Sequence, residues 1–201
     1  MKGTVLQRPG RWLTWGASTG EVAATLPGDE LLTDPDIVST RAVTIEAPPE
    51  AVWPWLVQMG SGRGGAYTYD WIENLFGLDM HSADEILPRF QHLAVGDELP
   101  LGKNGPAMRV EILDPERTLV SRSADGTWVW AFHLRPDRAG TRLISRNRIA
   151  LAGGPGPARI AYRLVMEPGS LIMERRMLLG IKQRAEGTSR TCSPGAWRPR
   201  R

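Results

Sequence analysis

The stretch that decides the fold is residues 39–59, STRAVTIEAPPEAVWPWLVQM, where a strand pattern changes into a helix pattern. Apolar and polar residues are interleaved over residues 41–46 at a rough period of two, which predicts a half-buried strand. Pro48 and Pro49 follow, and proline suits the first turn of a helix because its φ is fixed and it has no N–H. Apolar residues at i, i+3 and i+4 then predict an amphipathic helix that buries Val52, Trp55 and Leu56.

Beyond this helix the chain predicts a second helix, Tyr69–Phe76, and then five strands in close succession. Turn residues such as Asp125-Gly126 separate the strands, so antiparallel hairpins are the natural connection. Serine followed three residues later by glutamate also predicts two capping boxes, Ser18 with Glu21 and Ser82 with Glu85. The predicted strands are Asp97–Leu101, Met108–Leu113, Thr118–Ser123, Thr127–Leu134 and Thr141–Ile149.

The pattern becomes helical after the glycine and proline run at 153–157. We expect a short segment at 160–166, a break at Pro168-Gly169, and a long helix over 170–186 whose Met173, Met177 and Ile181 recur every four residues. Strand, two helices, a run of antiparallel strands and a final helix predict an α+β fold. In this fold a curved antiparallel sheet packs its concave face against the C-terminal helix.

The length of 201 residues suits one main domain, which we predict at 37–187. Residues 1–36 are expected to form an N-terminal arm with a short helix, and residues 188–201 a disordered basic tail. The sequence has no leader-like apolar segment and no run long enough to span a bilayer, so we expect a cytoplasmic protein. Twenty-two of the 25 basic residues are arginine, which favours a bacterial origin with a GC-rich genome.

The high isoelectric point, about 9.4, comes largely from the tail. Residues 188–201 contain four arginines and no acid, and the rest of the chain has 21 basic residues against 22 acidic ones. We therefore expect no nucleic-acid partner. One cysteine and three histidines without a ligand spacing predict no metal site, and the sequence indicates no cofactor.

The strand followed by a helix with the P-x-x-VW pattern, Pro49 to Trp53 in PEAVW, resembles the opening of chains in the START-related polyketide cyclase/dehydrase superfamily, SRPBCC. The tracts GRGGAYTYDWIENLFGLDMHSADEILP and MERRMLLGIKQRAE are similar to an uncharacterised bacterial branch of it. The resemblance covers roughly residues 39–186. It implies the helix-grip fold of the birch-pollen allergen, with an internal cavity for a small apolar molecule, and does not imply a reaction.

Residues 60–65 contain Gly60, Gly62 and Gly65 in the G-x-G-x-x-G spacing of dinucleotide-binding loops. A helix pattern with prolines precedes them, whereas a Rossmann domain requires a strand at that place. We therefore interpret the glycines as a loop joining two helices at the mouth of the cavity. Arg63 on this loop is either a solvated charge or a contact for an anionic head group.

The predicted ligand contacts come from the second helix, the aromatic strand, the last strand and the C-terminal helix. Trp128, Trp130 and Phe132 alternate onto one face of their strand, which either lines the cavity or fills the core. Ser145 and Asn147 face inward beside an outward arginine row, and a buried amide must find a partner. The full set is Tyr69, Trp71, His81, Trp128, Trp130, Phe132, Asn147, Met173 and Met177.

The functional hypothesis is binding of a small hydrophobic or amphipathic ligand between the sheet and the C-terminal helix. A cyclase- or hydratase-like enzyme is the alternative, with His81, Asp84, Tyr67 and Tyr69 as weak catalytic candidates because they bring titratable groups into one stretch. A third possibility is a scaffold that uses the groove for another protein's helix. The sequence leaves the oligomeric state open.

Overall fold

The structure is a computed structural model that describes residues 12–75, 77–103, 105, 107–151 and 157–191, with side chains of the last helix described over 168–189. Cys192 and Trp197 of the predicted tail, and residues 1–11 of the predicted arm, lie outside these ranges. The helices are α1 (Thr19–Ala23), α2 (Pro49–Val57), α3 (Asp70–Leu75) and α4 (Pro157–Thr191). The strands are β1 (Ile37–Ile45), β2 (Glu98–Pro100), β3 (Ala107–Asp114), β4 (Thr118–Ser123), β5 (Trp128–Asp137) and β6 (Gly140–Ile149).

The six strands form one antiparallel sheet in the order β1-β6-β5-β4-β3-β2. Strands β2 to β6 are joined in sequence, as the hairpin turns predict, and β1 pairs with β6 along its whole length. The sheet is curved and holds α2 and α4 against its concave face. This is the predicted α+β arrangement, the helix-grip fold.

The core lies where α2 and α4 meet the concave face. Val52, Trp55 and Leu56 are buried on α2, as the apolar spacing predicts, and they cluster with Ile181 and Ala185 of α4. The predicted repeat of apolar residues in α4 therefore does face the sheet. The strand residues in the same cluster include Ile45, Val110, Leu119, Phe132, Leu134 and Leu143.

Residues 13–32 cover the other face and the free edge of the sheet. Leu26 packs with Ala42 and Ile144 on the convex face. The N–H groups of Thr40 and Ala42 donate to the carbonyls of Leu13 and Trp15, at 2.8 and 3.1 Å, which occupies the edge of β1 that β6 leaves free. An open strand edge invites pairing with other chains, so this segment protects the sheet.

The arginine row of β6 is paired with this segment, not with acids on neighbouring strands. Arg142 binds Glu21 at 2.7 Å, and Arg146, which is 3% exposed, binds Asp29 at 2.8 Å. Arg148 contacts Asp29 as well, at 3.4 Å. The prediction that these arginines face away from the cavity is confirmed, but the acids that meet them are distant in sequence.

Two predictions about helices are wrong. The Ser18–Glu21 capping box is present, but Ser82 and Glu85 form none, because the N–H and hydroxyl of Ser82 both donate to the carboxylate of Asp70, at 2.8 and 2.6 Å. Helix α4 is also continuous through Pro168 and extends past the predicted end at residue 186 to Thr191. A proline removes one hydrogen bond from a helix interior, and here the helix continues on both sides of that gap.

Candidate functional site

The structure contains a cavity of about 500 Å³ that is partly open to solvent. It lies between one end of the sheet and residues 170–177 of α4, and α3 with its neighbouring loops closes another side. Most of its wall is apolar, and a few polar side chains converge on it, a combination typical of sites for small organic ligands. The lining residues are Leu13, Ile37, Ser39, Arg41, Ala66, Thr68, Glu73, Leu78, Met80, Leu101, Thr127, Trp128, Trp130, Asn147, Ile149, Ser170, Met173, Glu174 and Met177.

One wall of the cavity is a pair of stacked indoles. The rings of Trp128 and Trp130 lie 5.7 Å apart at an angle of 18°. The indole N–H of Trp128 donates to Asn147 Oδ1 at 2.8 Å, and that of Trp130 donates to Ser145 Oγ at 3.0 Å. Because both polar handles are hydrogen-bonded, the rings are held in one orientation and present a flat apolar surface.

A buried polar network lies behind this wall, centred on the carboxylate of Glu174. Ser145 Oγ donates to it at 2.6 Å and Asn147 Nδ2 at 3.3 Å, and the guanidinium of Arg41 forms an ion pair with it. Arg41 also donates to Ser170 Oγ at 3.0 Å and to the carbonyl of Trp12 at 3.1 Å. Ser145 and Asn147 thus find the partner that the sequence required, and it is a protein carboxylate.

The network holds the two charges together in a site that water scarcely reaches. Arg41 is fully buried and Glu174 is 7% exposed. Burial raises the pKa of Glu174, while the Arg41 guanidinium and the Ser145 hydroxyl oppose that change. A buried ion pair is costly to desolvate, so its stability depends on the complete set of hydrogen bonds around both charges.

A second carboxylate, that of Glu73 on α3, lines the cavity without such support. Glu73 is 8% exposed, and no described residue forms a hydrogen bond with its Oε2 atom. Thr68 Oγ1, also on the wall of the cavity, is buried and has no hydrogen-bond partner in the described part of the chain. Burial raises the pKa of Glu73, and the nearby Asp70 carboxylate raises it further, against the effect of the Thr68 hydroxyl.

The predicted ligand contacts separate into two groups. Five of them line the cavity: Trp128, Trp130, Asn147, Met173 and Met177. Phe132 lies next to Trp130, with ring centres 5.0 Å apart, but it is buried in the core. The aromatic face of β5 therefore does both things that the sequence left open, lining the cavity at its start and filling the core further along.

Tyr69, Trp71 and His81 lie outside the cavity wall. Trp71 is 70% exposed, and His81 is exposed and contacts Asp79 at 3.2 Å. Tyr69 is 37% exposed, with the guanidinium of Arg176 over its ring at 5.6 Å. The rotation of α3 accounts for the position of Trp71, because it turns Glu73 inward and turns Trp71 and Leu75 outward.

The weak catalytic candidates do not meet in one place. Asp84 accepts a hydrogen bond from Arg184 of α4 at 2.7 Å and is not part of the cavity wall. Tyr67 is buried in the core, donates to the carbonyl of Trp55 at 2.9 Å, and has its pKa raised well above the ordinary value by burial. The described contacts of His81 are with Asp79, and they do not join it to Asp84, Tyr67 or Tyr69.

The glycine-rich segment joins α2 to α3, as predicted, and not a strand to a helix. Gly60 and Gly65 exchange backbone hydrogen bonds of 3.0 Å, which closes the loop. Arg63 is half-buried, and its guanidinium donates to the carbonyls of Met59 and Val57 at 3.1 and 2.9 Å. It thus satisfies carbonyls at the C-terminal end of α2.

Three charged residues that line the cavity were not predicted from the sequence, namely Arg41, Glu73 and Glu174. A signal existed for two of them. Strict alternation from Ile45 places Arg41 on the concave face, and Glu174 precedes the buried Met177 by three residues on α4. For Glu73 the pattern pointed to the opposite face of α3, since it favoured burial of Trp71.

The described residues contain no group of three or more potential metal ligands. Within the same ranges, no helix has the length and apolar character needed to cross a bilayer. No family model and no curated protein matches the chain.

Solved structures do match it, at low identity. An AHSA1-like protein from Aeromonas hydrophila is 15% identical, with 76% of this chain and 94% of that chain covered and a TM-score of 0.42. A polyketide cyclase-like protein from Corynebacterium glutamicum is 15% identical, with 77% and 90% covered and a TM-score of 0.35. A protein from Mesorhizobium loti is 20% identical, with 76% and 98% covered and a TM-score of 0.44.

The sequence resemblance implied three features that the chain has: the order of its elements, the single antiparallel sheet and the long C-terminal helix. These features of the chain itself define its architecture. The chain has the helix-grip fold.

Proposed function

We propose that this protein binds a small amphipathic molecule with a flat apolar body in the cavity beside Trp128 and Trp130. The observation that carries the proposal is the cavity itself: about 500 Å³ of space next to two indoles that are held in place by hydrogen bonds. Rigid, preoriented aromatic surfaces favour binding because little rotational freedom is lost when the ligand arrives.

The opposite wall is suited to ligands of varied shape. Met173 and Met177 of α4 line it. Methionine is unbranched and polarisable, so it adapts to different apolar outlines. We therefore expect the protein to accept a class of molecules with an aromatic or polycyclic body, with affinity set mainly by how well the body covers the indoles.

The enzyme and scaffold alternatives have less support. The suggested acid and base groups each contact a different partner and do not contact one another: these groups are His81, Asp84, Tyr67 and Tyr69. A scaffold for another protein's helix needs a broad open groove, whereas the site is a cavity of about 500 Å³ that is only partly open to solvent.

Thermal unfolding with a panel of lipids, polyketides and aromatic compounds tests the proposal. A ligand present at 100 times its dissociation constant adds about 2.7 kcal/mol to the free energy of unfolding. Met173→Trp fills the cavity and should abolish this stabilisation. Ile172→Trp is the matched control, because Ile172 is the adjacent residue of α4 and is 55% exposed.

We expect the Ile172→Trp variant to respond to ligands like the original chain. If no compound stabilises the original chain, or if the two tryptophan variants respond alike, the proposal is wrong.

A further inference from the structure

The cavity contains two carboxylates in different states of pairing. Glu174 receives hydrogen bonds from Ser145 and Asn147 and an ion pair from Arg41. Glu73 is nine-tenths buried on the same cavity wall, and its Oε2 atom has no partner among the described residues. Buried polar atoms are almost always hydrogen-bonded in native proteins, so an unpaired oxygen on a carboxylate that lines a cavity indicates a missing partner.

A second unsatisfied group stands close in sequence to the first. Thr68 Oγ1 is buried on the same wall and also has no partner in the described part of the chain. Five residues separate Thr68 from Glu73, and the hydroxyl acts as a donor that lowers the pKa of that carboxyl, although Oγ1 and Oε2 do not meet with the geometry of a formed hydrogen bond. Together they present at least two oxygen atoms that can accept hydrogen bonds from one ligand group.

The charge balance of the wall indicates the sign of that group. Among the described lining residues the cationic side chain is Arg41, and it is bound to Glu174. The carboxylate of Asp70 adds negative potential near Glu73. An ionised carboxylate in an apolar site is strongly favoured by a paired cation and disfavoured without one.

We propose, resting on the binding function proposed above, that the ligand carries a protonated amine that binds Glu73 and Thr68 while its apolar body lies against Trp128 and Trp130. An ammonium group has three N–H donors, enough to reach both orphaned oxygens, whereas a hydroxyl group has one. A charge-assisted hydrogen bond is also about twice as strong as a neutral one.

Calorimetric titration with matched pairs of compounds tests this assignment. The pairs are 1-naphthylmethylamine with 1-naphthylmethanol, and decylamine with decanol, which differ only in the polar group. The original chain should bind each amine at least ten times more tightly than its alcohol. Glu73→Gln should reduce that ratio to about three or less and leave the affinity for the alcohol within about threefold.

Two further variants make the result specific. Glu85→Gln removes an exposed carboxylate from the same region and should keep the full preference for amines. Thr68→Val keeps the shape of the side chain but removes the hydroxyl, and should reduce the preference two- to fivefold. The melting temperature of each variant shows that it is folded before its affinity is compared.

The outcomes separate this inference from the proposed function. Equal binding of amines and alcohols by the original chain, or a preference that persists in Glu73→Gln, overturns the amine assignment and leaves the ligand-binding function standing. Failure of all four compounds to bind, together with no stabilisation by the wider panel, overturns both.

Discussion

The two ends of the groove between the sheet and α4 differ, although the same sheet and the same helix form both. At one end α2 inserts Trp55 and Leu56 against Ile181, and all three side chains are almost fully buried. At the other end Trp128 and Met173 face a cavity of about 500 Å³. The filled end is a close-packed core, and the hollow end has the volume of a ligand site.

The difference comes from the third element at each end. Helix α2 turns its apolar face into the groove, whereas α3 exposes Trp71 and Leu75, which are 70% and 76% exposed, and directs Glu73 inward. The cavity therefore does not arise from a shortage of apolar residues in the chain. It arises because α3 turns Trp71 and Leu75 outward.

The largest expected effect concerns the polar network at the hollow end. Glu174→Leu leaves the guanidinium of Arg41 buried without its carboxylate, and breaking such a pair costs about 3–5 kcal/mol. The double variant Arg41→Met/Glu174→Leu removes both charges and should recover most of that loss. Urea unfolding of the two variants measures the difference, and equal stability of the single and double variants would contradict the pairing described.

Shortening an apolar side chain should cost more stability at the filled end of the groove than at the hollow end. Ile181→Ala at the filled end should cost about 2–5 kcal/mol, because it creates a new cavity in a packed core. Met173→Ala at the hollow end should cost less than about 1.5 kcal/mol, since one side of that residue already faces open space. Similar losses at both positions, measured by urea unfolding, would show that the hollow end is packed in solution.

The pH dependence of stability tests the burial of His133, which lies on the convex face of the sheet, outside the groove. Burial lowers the pKa of His133 to about 4, from 6.5, and Arg146 adds to that shift. The folded state thus binds this proton less tightly than the unfolded state, so the stabilisation is present above pH 6.5 and is lost as the pH falls toward 4. The His133→Gln variant lacks this titration. Between pH 6.5 and pH 4 its unfolding free energy should therefore fall less than that of the original chain, by up to about 3 kcal/mol.

The two buried carboxyl groups of the groove should have the opposite effect on stability as the pH falls. Glu73 and Glu174 have raised pKa values, so the folded state binds their protons more tightly and these groups favour folding as the pH falls. A Glu73→Gln variant should therefore lose more stability in acid than the original chain. An equal loss in the two chains would show that Glu73 is well solvated, and a smaller loss in the variant would show that its pKa is lowered by a paired cation.

The smallest effect is expected from the C-terminal end of the chain. Residues 192–201 are rich in arginine and proline with little apolar surface, so they have little capacity to stabilise the fold. A chain ending at Thr191 should melt within about 2 °C of the full chain and keep its ligand affinity. A larger drop would place these residues in the working structure.

Much of the fold was predictable from local pattern. Strand β4 matches its predicted bounds, Thr118–Ser123, and the other strands agree within a few residues. Period-two alternation and turn residues act over short distances, so they are visible in sequence. The continuity of α4 through Pro168 was not predicted, because proline disfavours a helix locally while the rest of the helix favours it.

The site was predictable only in part, for a physical reason. The aromatic face of β5 and the inward Asn147 follow from alternation, but the pairing of Arg41 with Glu174 joins residues 133 positions apart. The burial of Glu73 depends on the rotation of α3, which is too short to show a clear apolar period. Ser82 illustrates the same limit, since Asp70 takes the hydrogen bonds that a capping box would have used.

Ligand binding beside Trp128 and Trp130 is tested most directly by the indole N–H signals of the tryptophans in a ¹H–¹⁵N correlation spectrum. The signals are assigned with Trp→Phe variants and followed during titration with the compound that stabilises the chain most. We expect the signals of Trp128 and Trp130 to shift progressively, while the signal of Trp55 at the filled end stays in place. A shift of Trp55 as large as those of Trp128 and Trp130, or saturable binding that moves neither of the cavity indoles, would contradict this expectation.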